Sequence, residues 1–186
     1  MGICALVAGC LIFLSYRQVR MFFLPKENQT LRAELDALSD NNLYIVVNTT
    51  HNRLEVRQGQ NVIHEALCST GSGEFLAYGR RLWSFDTPRG LYHIKGKVVD
   101  PIWIKPNWAF VEEGEPIPSS GLDVARFDST SLGAYAMQLG DGYLIHGTLY
   151  TNQIGTAVTH GCIRLDDEDL KTVYQLAKVN TPVYIY

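Results

Sequence analysis

The sequence predicts a mainly β domain of mixed strands, with one helix near its C-terminal end and one irregular insertion. Three observations carry that reading. From Leu43 onward, compact β-branched runs such as Tyr44-Ile45-Val46-Val47 are separated by turn residues, which is strand patterning. Between Asp100 and Ser131 the pattern breaks at Pro101, Pro106, Pro116 and Pro118, with Trp103, Trp108 and Phe110 interspersed. Past Asp166, apolar residues recur at helical spacing at Leu170, Val173, Tyr174 and Ala177.

In chain order, Gly2 to Tyr16 carries no charge and Ile3 to Leu14 is almost wholly apolar; Arg17 and Arg20 then interrupt before Met21-Phe22-Phe23-Leu24. Residues 1–24 therefore read as a membrane anchor or a signal-like segment. There is no basic stretch ahead of the run and no small-x-small cleavage site between Leu14 and Pro25, which favours a retained anchor over a cleaved signal peptide. Val7-Ala8-Gly9-Cys10 resembles a lipoprotein box, but greasy residues follow the Cys. Arg17 and Arg20, lying after the run, pull against an exported body by the positive-inside rule. Residues 25–41 form a stalk or linker, in which Leu31, Leu35 and Leu38 suit either a short amphipathic helix or a solvated connection.

The domain proper spans 42–186. Leu54 and Val56 alternate with charged neighbours, and Val62 and Ile63 lead to Leu67, with turns at Asn48 to Asn52 and Gln58-Gly59-Gln60, so the opening is a β-meander. Thr87-Pro88-Arg89-Gly90 has the residues of a type I turn, after which Leu91 to Lys97 continues as a strand. The segment Asp100 to Ser131 is too long and too aromatic for a plain connection, so it is either a lid over a site or a packed structural insertion. Strands return at Ala134 to Leu139 and Tyr143 to His146. The helix opens on the acidic turn Asp166 to Asp169 and exits at Asn180 before Pro182, and Val183 to Tyr186 closes as a strand.

Composition narrows the function. The 186 residues are 46% hydrophobic and 19% charged, enough for one packed domain and too apolar for wholesale disorder. With 16 basic against 19 acidic residues and no basic run, nucleic acid is excluded as a partner. Four cysteines are present, but Cys4 and Cys10 lie in the apolar N-terminus, so Cys68 and Cys162 make no disulfide framework.

The chemistry-bearing residues cluster late in the chain. Tyr143-Leu144-Ile145-His146-Gly147-Thr148 ends a strand in a His-Gly turn, and Thr159-His160-Gly161-Cys162-Ile163-Arg164-Leu165 sets a Cys behind a Gly. A thiol is mostly protonated at neutral pH, so a nucleophilic Cys162 needs a base such as His146. Gly161 leaves the backbone N–H groups near Cys162 unshielded, as an oxyanion site requires. Arg164 is suited to hold a substrate carboxylate in bidentate fashion. Taken singly, Cys162 fits a buried core residue and His146 a satisfied strand histidine. His146, His160 and Cys162 also offer three metal ligands, but no fourth is evident. Cys68 reads as core, and His51, His64 and His93 have no partners at informative spacing.

His146-Gly147, then Ile154-Gly155, then Thr159-His160-Gly161-Cys162-Ile163-Arg164 together resemble the signature of the L,D-transpeptidase catalytic domain, the YkuD-like family, with Thr159 where Ser is more frequent. Ser69-Thr70-Gly71 and Thr87-Pro88-Arg89-Gly90 resemble further features of that family, so the likeness covers about Asn42 to Tyr186. It implies a β-sandwich or open barrel of mixed strands. It implies Cys162 as the acyl-accepting nucleophile, His146 as general base and the Gly147 carbonyl as orienter of the ring. His160, Gly161 and Cys162 are then the backbone donors to the oxyanion, and Thr159 joins Arg164 as substrate-binding. The His160 side chain is either a spectator or an auxiliary acid or base.

The substrate implied is a peptidoglycan tetrapeptide stem, with loss of the terminal D-Ala and transfer to an amine, or to water in an L,D-carboxypeptidase. A non-catalytic peptidoglycan-binding module is the reading from another class, and an intact Cys162 and His146 argue against it. Neither a cofactor nor a metal is implied, the oligomeric state is open, and such a substrate requires a domain outside the cytoplasmic membrane.

Overall fold

A computed structural model describes residues 42–186; the anchor expected at 1–24 and the stalk at 25–41 lie outside the described residues. Strands β1 (Leu43–Asn48), β2 (Arg53–Gln58) and β3 (Asn61–Leu67) form the expected antiparallel meander. Strand periodicity decides which side faces in: Ile45, Val47, Leu54 and Val56 are fully buried while Arg53, Glu55 and Arg57 turn away. The first turn is fixed by Asn48, whose side-chain oxygen accepts the N–H groups of Thr50 and His51 at 3.0 Å. Strand β4 (Thr70–Gly71) and the hairpin β5 (Phe75–Tyr78) with β6 (Arg81–Ser84) follow.

The strand expected over Leu91 to Lys97 is in fact two. Strand β7 (Gly90–His93) belongs to the first sheet and β8 (Gly96–Val99) to the second. The break falls at Ile94, which is buried and exchanges backbone bonds with Thr181 and Asn180, while Lys95 N–H donates to the Gln138 carbonyl; the chain steps from one sheet to the other there. Nor do Thr87–Arg89 fold back as the expected turn; they run on without one into β7.

Within residues 100–131, β9 (Trp103–Ile104) pairs with β10 (Phe127–Asp128), and between them lies a helix that the sequence reading did not pick out, α1 (Asn107–Glu113). Gly114 ends it in the left-handed region at φ 71°, as helix C-termini favour. Arg126, 8% exposed, ties the segment together: its guanidinium donates to the carbonyls of Lys105, Pro118 and Ser120 and to Asn107 Oδ1, and lies 5.2 Å from the Phe110 ring. The segment is therefore internally packed.

The second sheet has the order β14–β12–β11–β8, built from β11 (Tyr135–Gly140), β12 (Tyr143–His146) and β14 (Ile163–Arg164), with β12 and β14 parallel. Strand β13 (Ala157–Thr159) pairs in parallel with β4. Helix α2 (Asp167–Leu176) is capped by Asp166, whose carboxylate accepts Asp169 N–H at 2.8 Å. Its other end is met by Lys97 on β8, which donates to the carbonyls of Tyr174 and Ala177. The last strand, β15 (Pro182–Ile185), slots between β1 and β7, parallel to the first and antiparallel to the second. One core joins both sheets and the helix: Ile45, Val56 and Val183 with Met137, Leu139 and Ile145, and with Leu170 and Val173. This mainly β, two-sheet architecture sets the ends of β12, β13 and β14 side by side, and the chemistry-bearing residues sit there.

Candidate active site

Cys162 sits in the turn between β13 and β14, and two hydroxyls shape that turn. Thr159 Oγ1 accepts Gly161 N–H at 3.1 Å and donates to the Cys162 carbonyl at 2.6 Å. Thr87 Oγ1 donates to the Gly161 carbonyl at 3.0 Å and accepts Gly71 N–H at 2.7 Å, tying the turn to β4 and to the segment before β7. Gly161 has φ 115°, and a Cβ there would lie 2.7 Å from the Tyr143 ring and 2.8 Å from the Asp86 carbonyl, so no other residue fits. Thr159 is 1% exposed and does not line the cavity; its hydroxyl is occupied within the turn and does not face a substrate. The Gly161 N–H, expected as an oxyanion donor, is already bonded to Thr159.

His146 ends β12 with 4% exposure, and its Nδ1 donates to the Gly147 carbonyl at 2.6 Å. A carbonyl only accepts, so this bond puts the proton on Nδ1 and leaves Nε2 bare. The close approach of backbones beneath it explains Gly147: a Cβ would lie 3.1 Å from Gly133 Cα and 3.2 Å from the Leu132 carbonyl. Burial pushes His146 down to about 4, helped by the Arg164 charge and opposed by the bond to Gly147. Burial likewise pushes the Cys162 thiol up, against a backbone N–H from Leu144 and the Arg164 charge, which favour the thiolate. Cys162 and His146 line the same cavity, of about 370 Å³, together with Arg164 and Tyr143. Among the described residues no carboxylate pairs with Arg164, whose guanidinium lines that cavity as an uncompensated cation.

The insertion forms the facing wall with Trp103, Ile104, Pro106 and Trp108. His160 meets it. Its ring stacks on Trp108 at 4.1 Å and 17°, abuts Phe85 edge-on at 4.5 Å, and its Nε2 lies 2.8 and 3.0 Å from the two carboxylate oxygens of Glu112. The side chain that sequence reasoning left as spectator or auxiliary acid-base is thus engaged by α1. Among the described residues no group of three or more His, Cys, Asp or Glu side chains is arranged to hold a metal ion.

A thiol, a buried imidazole held by its own following carbonyl and an unpaired guanidinium thus surround one cavity, and the family profile for the YkuD L,D-transpeptidase catalytic domain fits residues 42–185. The chain belongs to that family. A probable L,D-transpeptidase of Escherichia coli strain K12, YbiS, is 30% identical over 165 residues, covering 87% of this chain and 51% of its own length. The chain thus spans about half the length of that relative. Among solved structures, an L,D-transpeptidase from Mycobacterium smegmatis superposes with a TM-score of 0.57 at 19% identity, over 78% of this chain and 58% of that one. L,D-transpeptidase 3 from Mycobacterium tuberculosis, solved in complex with a faropenem-derived adduct, gives 0.55 at 20% identity, over 77% of this chain and 59% of that one.

Within this L,D-transpeptidase domain, sequence reasoning found Cys162, His146 and Arg164, which the fold brings to one cavity. It missed Thr87, Tyr143, Trp108 and Glu112. Thr87 had a signal in its Thr-Pro-x-Gly setting, read there as a turn. Glu112 had none, because nothing in a sequence pairs it with His160 across 48 residues. Cys68 is core as expected, its thiol pushed up to about 12 by burial. His64, given no role, bonds Asp169 of α2 at 2.9 Å.

Proposed function

We propose that the chain is a peptidoglycan L,D-transpeptidase acting through a Cys162 thioester. The observation that carries this is that His146, its Nδ1 proton given to the Gly147 carbonyl, lines the same cavity as Cys162. With the thiol pushed up and the imidazole pushed down, the resting pair at neutral pH is neutral, so the proton moves as the attack occurs.

In that reaction Cys162 Sγ bonds to the carbonyl carbon that joins the diaminopimelate-like residue of a tetrapeptide stem to D-Ala, while its proton passes to His146 Nε2. The oxyanion is received by backbone N–H groups of the turn, those of His160 and Cys162, since that of Gly161 is taken. Collapse breaks the C–N bond, and His146 returns the proton to the departing D-Ala amine. An incoming amine then attacks the thioester, gives a proton to His146 and releases the thiol. Arg164 holds a stem carboxylate during both steps. Water in place of the amine makes the same chain an L,D-carboxypeptidase. Peptidoglycan lies outside the cytoplasmic membrane, so the domain works there, anchored through residues 1–24. An alkaline phosphatase fused after Tyr186 is active on that reading and silent if the domain stays in the cytoplasm.

Incubating the full chain with tetrapeptide-rich sacculi and analysing the muropeptides by mass spectrometry tests the reaction. Loss of D-Ala with new cross-linked dimers is the expected result. Loss of D-Ala without dimers assigns water as acceptor, and unchanged tetrapeptides overturn the proposal.

A further inference from the structure

We propose that Glu112 and Trp108 are positioning residues of the acyl-transfer site: by clamping the His160 side chain they hold the cysteine-bearing turn and the insertion in one working arrangement. This rests on the acyl-transfer reading above. The turn is pinned from the core side by Thr159 and Thr87, whose hydroxyls hold Gly161 on both of its backbone groups. From the outer side it is held through His160, the residue before Gly161, which packs against Phe85 and Trp108, themselves in contact, and is bonded to Glu112.

The clamp is well placed to transmit position. Trp108 and Glu112 both belong to α1, and the insertion that carries α1 is braced internally by Arg126, so the two side chains arrive on a stiff support. The hydrogen bond to His160 is the side-chain bond that ties this support to the turn. Glu112 is 49% exposed, and an ion pair that open adds little to global stability. Its consequence is local. The backbone N–H of His160 is one of the two left to receive the oxyanion, and Trp108 forms part of the cavity wall opposite Cys162. Releasing His160 therefore opens the wall and loosens a donor together.

Two reactions of Cys162 separate these effects. Iodoacetamide alkylation needs access to the thiol and no oxyanion donor. Acylation by a carbapenem, in which the S–C bond forms, the lactam C–N bond breaks and the thiol proton ends on the lactam nitrogen, needs both. For Glu112→Ala in the full chain, the expected result is alkylation at Cys162 several-fold faster and acylation about tenfold or more slower, as misplacement of reacting groups costs. In turnover of tetrapeptide, kcat falls with little change in KM. Glu112→Gln, whose amide oxygen accepts the same N–H, restores both rates to near wild type, and Trp108→Phe lies between. Peptide mapping that finds buried Cys68 unmodified in every variant shows the fold intact. Acylation at the wild-type rate in Glu112→Ala, or no rescue by Glu112→Gln, overturns the proposal. If the wild-type chain takes no acyl group, the acyl-transfer reading fails instead. Alkylation then judges the clamp alone, and an unchanged rate in Glu112→Ala overturns it.

Discussion

The turn that carries Cys162 and the insertion that faces it are both irregular, yet they are held in opposite ways. The turn is fixed by a glycine at φ 115° and by two hydroxyls, that of neighbouring Thr159 and that of Thr87 from 74 residues away. Within the insertion, β9 pairs with β10 and the buried guanidinium of Arg126 gathers acceptors spread from Lys105 to Ser120. The turn is thus locked to distant parts of the domain, whereas the insertion is braced by bonds within itself. The first suits a nucleophile and the second suits the boundary of a substrate cavity.

Substitutions at three positions test that contrast, in order of effect. Cys162→Ala removes the proposed nucleophile and is expected to abolish D-Ala release and carbapenem adducts with the circular dichroism spectrum unchanged; Cys162→Ser, whose hydroxyl ionises far less, is expected to keep under about a tenth of the activity. Turnover above that level in either variant removes Cys162 from its role. Gly161→Ala strikes the lock itself. A methyl 2.7 Å from the Tyr143 ring and 2.8 Å from the Asp86 carbonyl forces the turn to move, so activity is expected to drop about 10²-fold and the melting temperature to fall. A fully active Gly161→Ala means that the turn tolerates displacement and is not a lock.

Arg126→Ala strikes the brace. It leaves the Lys105, Pro118 and Ser120 carbonyls and Asn107 Oδ1 without their donor, at about 1–3 kcal/mol for each group that stays buried. Limited proteolysis is expected to cut within residues 100–131 first, while hydrogen exchange in β1, β2 and β11 stays slow. Global unfolding at one rate in both regions erases the distinction between brace and core.

The same contrast explains what the sequence made legible. Strands β1 and β2 could be read because burial alternates along each, and β3 because a local turn joins it to β2. The placement of β15 could not, since its parallel pairing with β1 joins residues 138 apart and leaves no local mark. Ile94 looked like mid-strand because a buried isoleucine carries the same pattern whether the strand continues or changes sheets. In the site, Cys162, His146 and Arg164 were legible because their geometry depends on short motifs. The bonds that occupy the Thr159 hydroxyl within the turn were not legible, because a hydroxyl's partners do not show in its spacing. Glu112, Trp108 and Arg126 act across segments with no fixed separation, and their roles emerge only when the insertion is folded.

His146 gives the smallest effect and one with a defined pH window. It is buried at the end of the core strand β12, and its folded value of about 4 lies below the 6.5 of an ordinary histidine. As pH falls below about 6.5 the unfolded chain binds a proton that the folded chain refuses until about 4, so stability declines across that interval and the loss then levels off. By pH 5.5 the decline from this group is about 1 kcal/mol. Asp128 titrates lower: burial would raise it, but hydrogen bonds from Ser131 and Thr130 outweigh that and hold it at about 2, so it takes over only in more acidic solution. Urea denaturation at pH 7 and pH 5.5 is expected to show the difference in wild type and to lose most of it in His146→Gln, which keeps a polar side chain without the titration. The same depressed value predicts that kcat/KM holds down to about pH 5 before its acid limb, because the free base persists there. An acid limb centred near 6.5 would place His146 in water rather than in the core.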